Sequence, residues 1–482
     1  MLPPTYSPLL NDFYQLTMAY GYWQLNMHEQ PATFHLLFRR NPFGGDYAIN
    51  CGLASVIEFL NAWHFPTDQI NYLASLKNSQ GAPMFPPAFL DYLSQLRFSC
   101  DIDAIPEGTL VFPHTPLLRI QGPILQCQLI ESPLLNLVNF QTLIATKASR
   151  VCRAAAGDEV IEFGMRRAQG PDGALSASRA AYIGGCNATS NSLAGYLYDI
   201  PLRGTHAHSW VTAFPTEKQA FAAYASVLPQ NAVLLVDTYN TIHGVKAAIE
   251  EGKKLRQQGA DLLAIRLDSG DLAELSIMAR KLLDEAGFEQ TSILASNSLD
   301  EYVITSLKQQ GAKIDAWGVG TNLTTAYDQP ALDGVYKLSS LQDNNGVWQY
   351  KLKLSEQAIK VSNPGRHQVR RYYLNNKMLT DVIYDLDLTI DDHPHSNLLS
   401  HPDTEMAISH YDRAEDLLKP VFRNGKQVNT LHSIHELRAT AIDNYQMFCA
   451  NHPQNYLYPV GLEKNLHNLK QQLIQKFRNS IE

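Results

Sequence analysis

The segment Leu262-Leu263-Ala264-Ile265-Arg266-Leu267-Asp268-Ser269-Gly270-Asp271 carries the clearest fold signal in the chain. Its first six residues are apolar except for Arg266, which predicts a buried strand. Apolar side chains then repeat at helical spacing as far as Ala286, and Gly287 follows as a typical helix end. A buried strand followed by an amphipathic helix is the building unit of parallel α/β folds.

The same alternation extends over about 126–340, where a long helix is predicted over 128–151. Short apolar runs, each predicted to be a strand, cover 160–163, 233–236, 262–267, 293–295, 316–319 and 335–338. Six or seven such units in a row predict either a parallel barrel or a large open sheet. Both architectures place their functional groups at the carboxyl ends of the strands.

The segments on either side of this region have a different pattern. Residues 1–125 mix helices and short strands, with a helix predicted over 11–23. Beyond residue 340, polar hairpin-like strands are predicted over 354–373 with a turn at Asn363-Pro364-Gly365. We therefore predict an α+β domain over 1–125, an α/β barrel over 126–340, and a helical and hairpin extension over 401–482.

Composition excludes several classes of protein. The 482 residues are 45% apolar and carry a net charge of −8, which is typical of a globular protein and argues against nucleic acid as a partner. No apolar stretch of about 18 residues predicts a membrane span, and no secretory signal is apparent. The six scattered cysteines predict free thiols, so a cytoplasmic location is expected.

Two kinds of anion-binding motif follow the predicted strands. Arg166 and Arg167 come after a strand and a glycine, and an arginine fork suits carboxylate or phosphate, although a solvated basic turn explains them equally well. Gly318-Val319-Gly320-Thr321, with Gly334 further on, is similar to the phosphate cradles of barrel enzymes. By itself the Gly-x-Gly-Thr pattern is a weak signal.

His206 and His208 lie two residues apart on an extended segment, so only one is expected to face a site. A metal-binding pair, as in barrel hydrolases, is the alternative, but it needs further ligands. Asp237 and His243 are available for that purpose, without completing a convincing set.

The segment after the strand 262–267 adds charged groups to the same edge. Arg266 and Asp268 are unexpectedly polar for a buried strand and suggest contacts to ribose hydroxyls or to Mg²⁺. Asp271 is a further carboxylate candidate for Mg²⁺, although it also suits the cap of the following helix.

Taken together, these motifs resemble those of the nicotinate phosphoribosyltransferase family. The matching segments keep the family order and cover 11–20, 163–173, 204–210, 235–239, 266–272, 296–301, 318–321, 334–338 and 422–426. The resemblance implies an irregular (β/α) barrel plus an α+β domain built from N-terminal and later segments, including part of 341–400. It also implies a homodimer that joins nicotinate to 5-phosphoribosyl 1-diphosphate (PRPP), with ATP hydrolysis coupled through a phosphohistidine.

The resemblance also assigns roles to individual residues. His208, Arg266 and Asp268 are implied to be catalytic, with His208 carrying the phosphate. Tyr14 and Arg166 are implied to hold nicotinate. Further substrate-binding positions are implied at Phe163, Thr205, Ser269, Asn297, Gly318, Gly320, Thr321 and Gly334.

The expected cofactor is Mg²⁺, held mainly through substrate phosphates with Asp268 and Asp271 as candidate ligands, and ATP is the expected co-substrate. Three alternatives stay open. The first is a related enzyme that acts on nicotinamide or quinolinate, the second is a metal-dependent barrel hydrolase that uses His206 and His208, and the third is an inactive binding scaffold.

Overall fold

The computed structural model describes residues 6–357, 360–390, 394–453 and 455–479. Its chain divides into two compact units, which we describe separately. The parallel unit is Ile144–Pro330, and the antiparallel unit combines Met1–Leu143 with Ala331–Glu482. The domain limits predicted from sequence, 126 and 340, lie outside the 144–330 bounds of the parallel unit. The division falls inside the helix Glu131–Ala155, and the run 335–338, predicted as part of the barrel, belongs to the other unit.

The first part of the antiparallel unit alternates helices with short strands. The helices are α1 (Phe13–Gln24), α2 (Leu53–Asn61), α3 (Thr67–Ser75), α4 (Pro87–Gln95), α5 (Ile124–Leu129) and α6 (Glu131–Ala155), the last of which continues into the parallel unit. The strands are β1 (Pro31–Phe38), β2 (Ala48–Ile49), β3 (Asp101–Ala104), β4 (Leu110–Val111) and β5 (Leu118–Pro123).

The parallel unit alternates strands and helices. Its strands are β6 (Glu159–Glu162), β7 (Ala188–Thr189), β8 (Ala232–Leu235), β9 (Leu262–Leu267), β10 (Ser292–Ser296) and β11 (Ala316–Val319). Its helices are α7 (Gly170–Ile183), α8 (Ser192–Tyr198), α9 (His208–Thr212), α10 (Glu217–Val227), α11 (Thr241–Gln257), α12 (Leu272–Glu285), α13 (Glu301–Gln309) and α14 (Thr321–Thr324).

The six strands of this unit form one parallel sheet in the order β7-β6-β11-β10-β9-β8. Central strand β11 is buried along its whole length, as expected for a parallel sheet with both faces covered. Within the described chain, β7 and β8 do not pair with each other, so the barrel is incomplete. This sheet confirms the prediction of an irregular α/β barrel, and Phe163, Asp268 and Asn297 directly follow its strands at their carboxyl ends.

The rest of the antiparallel unit is rich in strands. These are β12 (Gly334–Gln342), β13 (Trp348–Tyr350), β14 (His367–Leu374), β15 (Lys377–Asp385), β16 (His395–Leu398), β17 (Glu405–Ala407), β18 (Arg413–Asp416), β19 (Lys419–Arg423), β20 (Lys426–Gln427) and β21 (Val460–Glu463). Two helices complete the chain, α15 (Ile434–Asn451) and α16 (Lys464–Asn479).

Two larger sheets organise this unit. The seven-stranded sheet β13-β12-β1-β5-β3-β19-β20 is antiparallel throughout. The six-stranded sheet β17-β16-β21-β15-β14-β18 is antiparallel except for the pair β15–β21. N-terminal and late segments therefore share the first sheet, as expected for a domain assembled from distant parts of the chain.

Two predictions about this region are wrong. The run 335–338 is not a strand of the parallel sheet, because it belongs to β12 and pairs antiparallel with β1. The turn expected at Asn363-Pro364-Gly365 does not join two strands. The hairpin is instead formed by β14 and β15, and its turn is Asn375-Asn376, both with positive φ (51° and 60°).

In the described part of the chain, no helix combines the length and apolar character needed to cross a membrane.

Candidate active site

Arg266 is the centre of a polar cluster at the carboxyl edge of the parallel sheet. Its Nε donates to the Ser296 hydroxyl at 2.9 Å and its Nη1 donates to the Thr205 hydroxyl at 3.0 Å. Its Nη2 donates to Oδ1 of Asp268 at 2.9 Å. The guanidinium therefore joins the ends of β9 and β10 to the segment before α9, and its plane is fixed by three partners.

Asp268 is kept ionised by its neighbours. Burial would raise the pKa of this carboxyl, but the Ser296 hydroxyl and then the Arg266 guanidinium lower it below the ordinary value. Ser296 donates a short hydrogen bond to the same Oδ1 that accepts from Arg266. The second oxygen, Oδ2, lies 3.7 Å from Nε2 of His208. Asp268 thus presents a negative oxygen toward the histidine.

Asp237 is a second carboxylate on this edge, and the sequence suggested it only as a metal ligand. Its Oδ2 accepts from the backbone N–H of Asp268 at 2.9 Å and from the Ser269 hydroxyl at 2.6 Å. Its Oδ1 is buried, has no hydrogen-bond partner among the described residues and lies 3.9 Å from Nε2 of His208. The signal that could have revealed it is its position just after the apolar run 233–236.

The two histidines face different surroundings, as their spacing predicted. His206 is buried, accepts the backbone N–H of Leu235 at Nε2 (3.2 Å) and packs its ring against Tyr224. Burial lowers the pKa of His206, which favours a neutral structural imidazole. His208 is 44% exposed, and its Nδ1 lies 3.1 Å from the Thr238 hydroxyl. His208 is therefore the histidine that a ligand can reach.

Phe163 lines the other side of the same edge. A Cβ at Gly318 would lie 2.6 Å from the Phe163 ring, so the ring covers β11 only because residue 318 is glycine. A Cβ at Gly320 would lie 3.1 Å from the Phe163 carbonyl oxygen. The Arg266 guanidinium lies 5.5 Å from the ring centroid of Phe163, which gives a cation–π contact between the two groups.

Arg166 and Arg167 occupy a short 3-10 turn, Met165–Arg167, directly after Phe163 and Gly164. Both side chains are exposed. Within the described residues, neither guanidinium has a hydrogen bond or an ion pair. Two cations without a protein partner therefore lie on the turn that follows Phe163 in the chain. Thr321 begins α14, directly after Gly320.

Other predicted site residues have local roles or lie in the other unit. Asp271 caps α12 by accepting the N–H groups of Ala273 and Glu274, so its carboxylate is already engaged. Asn297 is exposed, with a positive φ of 97°. Tyr14 is exposed on α1 of the antiparallel unit. Gly334 begins β12 in that same unit, opposite Phe38 of β1, and not at the edge of the parallel sheet.

A second polar site, which sequence reasoning missed, is a small cavity of about 30 Å³ within the antiparallel unit. Its basic lining residues are His35, Arg39, His114, Lys337, Lys360 and His367. Lys470 lies beside it and donates to Asn363 at 2.8 Å, and burial lowers the pKa of Lys470 to about 8. Burial lowers the pKa of His35 well below its ordinary value and lowers the pKa of His114 and His367 to about 4, so the positive charge of this lining comes from Arg39, Lys337 and Lys360. Three cations in one lining suit an anion. No single motif could have revealed it, because its residues come from distant strands.

Metal ligands do not form a closed set. Among the described residues, no group of three or more His, Cys, Asp or Glu side chains is arranged to hold a metal ion. Oδ1 of Asp237 and the carboxylate of Asp268 nevertheless offer hard oxygen ligands. Two carboxylates suit Mg²⁺, because this ion takes most of its other ligands from water molecules and substrate phosphates.

Comparison with known proteins gives a consistent result. Family descriptions match in three consecutive parts: the nicotinate phosphoribosyltransferase N-terminal domain over residues 9–139, the nicotinate phosphoribosyltransferase family over 159–368 and its C-terminal domain over 366–470. Nicotinate phosphoribosyltransferase of Bacillus subtilis is 40% identical over 98% of this chain and 96% of its own. That of Dictyostelium discoideum is 38% identical over 92% of this chain and 78% of its own.

Solved structures agree. The crystal structure of human nicotinic acid phosphoribosyltransferase superposes with a TM-score of 0.84 and 30% identity, covering 96% of this chain and 99% of its own. Nicotinate-nucleotide pyrophosphorylase from Pyrococcus furiosus, at 21% identity and a TM-score of 0.68, shares the fold.

The parallel sheet and its polar carboxyl edge define an α/β enzyme that handles anionic substrates. With relatives matched at this identity over nearly the whole length, the particular family follows. The chain belongs to the nicotinate phosphoribosyltransferase family.

Proposed function

We propose that this enzyme joins nicotinate to PRPP, giving nicotinate mononucleotide and diphosphate, as a step of NAD synthesis. The ring nitrogen of nicotinate attacks C1′ of the ribose, the C1′–O bond breaks, and the electron pair leaves with diphosphate. The observation that carries the proposal is the cluster of Arg266, Asp268 and His208 beside Phe163 at one sheet edge. Such a reaction depends on positioning and on stabilising the leaving charge, since nicotinate is already a nucleophile.

The charged groups divide this work between them. Arg266 supplies a positive charge close to where diphosphate develops negative charge, and Asp268 orients that guanidinium. The oxygens of Asp268 and Asp237 suit Mg²⁺ or ribose hydroxyls. Bound Mg²⁺ would neutralise the diphosphate, and the role of these two residues is to orient it. Asp271 is a weaker candidate because its carboxylate caps a helix.

Selection of nicotinate is proposed to depend on Arg166. Its guanidinium is exposed and has no partner among the described residues, on the turn that follows Phe163, so it can pair with the carboxylate of a pyridine acid. An amide would leave this cation unpaired. Tyr14 is proposed to stack on the nicotinate ring, as the family resemblance implies, and its exposed side chain is compatible with that role.

ATP is proposed to act through His208. A ring nitrogen of the neutral imidazole attacks the γ-phosphorus, the bond to the bridging oxygen breaks, and ADP leaves. Water later cleaves the N–P bond, which releases phosphate and restores the imidazole. The partial exposure of His208 and the nearby carboxylates of Asp237 and Asp268 support this role, because they surround the ring without blocking it.

The cation-lined cavity of the antiparallel unit is proposed to hold phosphate groups. Arg39, Lys337 and Lys360 line it, and the acidic partner of Arg39, Asp333, lies 3.8 Å away at the surface.

We further propose a homodimer in the cytoplasm. Exposed apolar side chains cluster on α8 of the parallel unit, where Leu193, Tyr196 and Leu197 are each at least half exposed, and a second copy would cover them. All six cysteines are free thiols, which fits a reducing compartment.

The test is a comparison of three pyridine substrates, nicotinate, nicotinamide and quinolinate, each with PRPP and Mg²⁺. The proposal requires mononucleotide and diphosphate from nicotinate, with little turnover of the other two. Preference for nicotinamide or quinolinate would contradict it. An Arg166→Ala variant should lose most of its preference for the acid over the amide, while Arg167→Ala serves as the matched control on the same turn.

A further inference from the structure

We infer that Glu162 is a positioning residue for the nicotinate-binding turn at residues 163–167. Its carboxylate is buried between that turn and the elements behind it, and it holds Phe163 and Arg166 in register. The inference rests on the proposed function, since it takes Phe163 and Arg166 to be the groups that receive nicotinate.

The hydrogen bonds of Glu162 point in two directions. It is the last residue of β6 and is only 1% exposed. Oε1 accepts a short hydrogen bond from the backbone N–H of Gly164. Oε2 accepts from the hydroxyls of Ser178 on α7, at 2.9 Å, and Thr189 on β7, at 2.6 Å. One carboxylate therefore ties the turn to a helix and to a neighbouring strand.

This carboxylate has no cationic partner. Within the described chain, no lysine, arginine or histidine forms an ion pair with Glu162. A buried charge without a counter-ion is unfavourable unless hydrogen bonds satisfy it, and here three donors do so. An apolar residue would fill the same place in the sheet at lower energy, so the buried carboxylate indicates a task other than packing.

The turn that it holds has little freedom to move. A Cβ at Gly164 would lie 2.4 Å from the Cβ of Thr324, so residue 164 must be glycine for the turn to approach α14. The backbone N–H of Phe163 donates to the Val319 carbonyl at 2.8 Å, and that of Arg167 donates to the Gly164 carbonyl at 2.8 Å. Glu162 supplies the side-chain acceptor between these two backbone bonds.

The other end of the network is equally well fixed. The Asn191 side-chain amide donates to the Ser178 hydroxyl at 3.2 Å, and the backbone N–H of Asn191 donates to the Thr189 hydroxyl at 3.0 Å. Asn191 is itself the N-cap of α8. The Glu162 carboxylate is thus hydrogen-bonded to α7 and β7 on one side and to the turn on the other, and it fixes the position of Gly164 relative to them.

Loss of the hydrogen bonds of Glu162 should weaken the binding of nicotinate more than the binding of PRPP. Gly164 lies between Phe163 and the 3-10 turn that carries Arg166, so a shift of Gly164 displaces both groups that face nicotinate. The bonds among Arg266, Asp268 and Asp237 do not pass through Glu162. The binding of nicotinate should therefore weaken while that of PRPP is nearly unchanged.

The experiment compares Glu162→Ala with Glu162→Gln. Glutamine keeps an oxygen for the Gly164 N–H, and its amide can donate to the Ser178 and Thr189 hydroxyl oxygens, so it should retain the nicotinate KM within about threefold. Alanine removes the acceptor, and we expect the nicotinate KM to rise at least about tenfold with the PRPP KM changed less than about twofold. Phosphorylation of the enzyme by ATP without nicotinate should be preserved.

Thr189→Val is the matched control, because it removes one hydroxyl from Oε2 and leaves the Gly164 bond in place. It should raise the nicotinate KM less than Glu162→Ala does. If Glu162→Ala does not fold, Glu162→Asp gives the same test, since its shorter side chain keeps the charge but withdraws the carboxylate from Gly164.

Failure of the inference about Glu162 can be distinguished from failure of the proposed function. If the wild-type enzyme turns nicotinate over, but the alanine and aspartate variants keep its KM or change the KM of both substrates equally, the inference about Glu162 is wrong and the proposed function stands. If the wild-type enzyme produces no mononucleotide from nicotinate, the proposed function fails first and takes the inference with it.

Discussion

Both units contain an ion pair between an arginine and an aspartate, but the two pairs differ in their exposure to solvent and in how many of their oxygens are engaged. In the antiparallel unit, Arg371 and Asp381 are 1% and 0% exposed, and the contact is bidentate at 2.7 Å. In the parallel unit, Arg266 and Asp268 are 12% and 26% exposed, and only one oxygen of Asp268 accepts from the arginine. The first pair is closed to other partners, and the second has one end open.

The remaining bonds strengthen this contrast. Asp381 also accepts from the Tyr458 hydroxyl at 3.0 Å, and Arg371 also donates to the Leu110 carbonyl at 2.8 Å. Both oxygens of Asp381 and two of the three guanidinium nitrogens of Arg371 therefore have oxygen or nitrogen partners within the fold. Asp268 instead directs its second oxygen toward His208. An ion pair that satisfies itself stabilises structure, and an ion pair with an open end can act on a ligand.

The largest effect is expected from breaking the closed pair. Arg371→Met leaves the Asp381 carboxylate buried without its counter-ion, which should lower the free energy of unfolding by about 3–5 kcal/mol. Chemical denaturation measures this change. The double variant Arg371→Met/Asp381→Leu should recover much of the loss, and no recovery would show that the pair does more than satisfy its own charges.

Breaking the open pair should reduce activity instead. Arg266→Met should lower kcat/KM by about 10²–10³-fold, in line with the loss of one group that stabilises developing charge. It should lower the free energy of unfolding far less than Arg371→Met does, because the Asp268 carboxylate stays partly exposed to solvent and still accepts from the Ser296 hydroxyl. Steady-state kinetics and chemical denaturation of the same preparations measure the change in kcat/KM and the change in the free energy of unfolding. An Arg266 variant that loses stability but retains kcat/KM would reverse the comparison.

The two histidines give a third and smaller contrast. His208→Asn should abolish the stimulation of mononucleotide synthesis by ATP while retaining basal synthesis without ATP, since the asparagine amide cannot accept a stable phosphoryl group. His206→Asn should leave the stimulation in place and weaken the fold, because His206 accepts a buried backbone N–H. Turnover with and without ATP is the measurement, and full stimulation in His208→Asn would exclude the phosphohistidine.

The smallest expected effect concerns pH and the cation-lined cavity of the antiparallel unit. Because burial lowers the pKa of Lys470 to about 8, this ammonium is charged at pH 7 and mostly neutral at pH 9. Binding of diphosphate should therefore weaken a few-fold as the pH rises through 8. Titration calorimetry of wild type and Lys470→Met in identical buffers separates this loss from the ionisation of diphosphate itself. Equal pH dependence in both proteins would remove Lys470 from the anion site.

The sequence predicted the parallel sheet well where a strand is buried on both faces. Strand β11, which is buried along its whole length, coincides with the predicted run 316–319, because a strand covered on both faces is continuously apolar. Strand β9 coincides with the run 262–267 although Leu263 is exposed and Arg266 is polar, since its other residues are apolar and buried. The two residues of β7, Ala188–Thr189, are too short a run to detect. Strand β12 has the same apolar appearance as a parallel strand, but its partner β1 lies about 300 residues away in sequence, so pairing could not be inferred locally.

The site was predictable to a similar degree. Arg266 and Asp268 are conspicuous in the sequence as polar residues at the end of an apolar run, whereas the choice of His208 over His206 depends on the family resemblance, and the structure brings these three residues together. Asp237 was considered only as a metal ligand, since its role depends on bonds from Ser269 and from the Asp268 backbone. Glu162 looks like an ordinary strand end in the sequence, and only its burial and its three hydrogen-bond donors set it apart.

The most direct test of the central claim is a single assay with nicotinate, PRPP and Mg²⁺, run with and without ATP, in which nicotinate mononucleotide and ADP are measured together. We predict mononucleotide from nicotinate, an increase in its rate when ATP is present, and ADP formed alongside it in the wild type and lost in His208→Asn. Absence of mononucleotide under both conditions would contradict the proposed function.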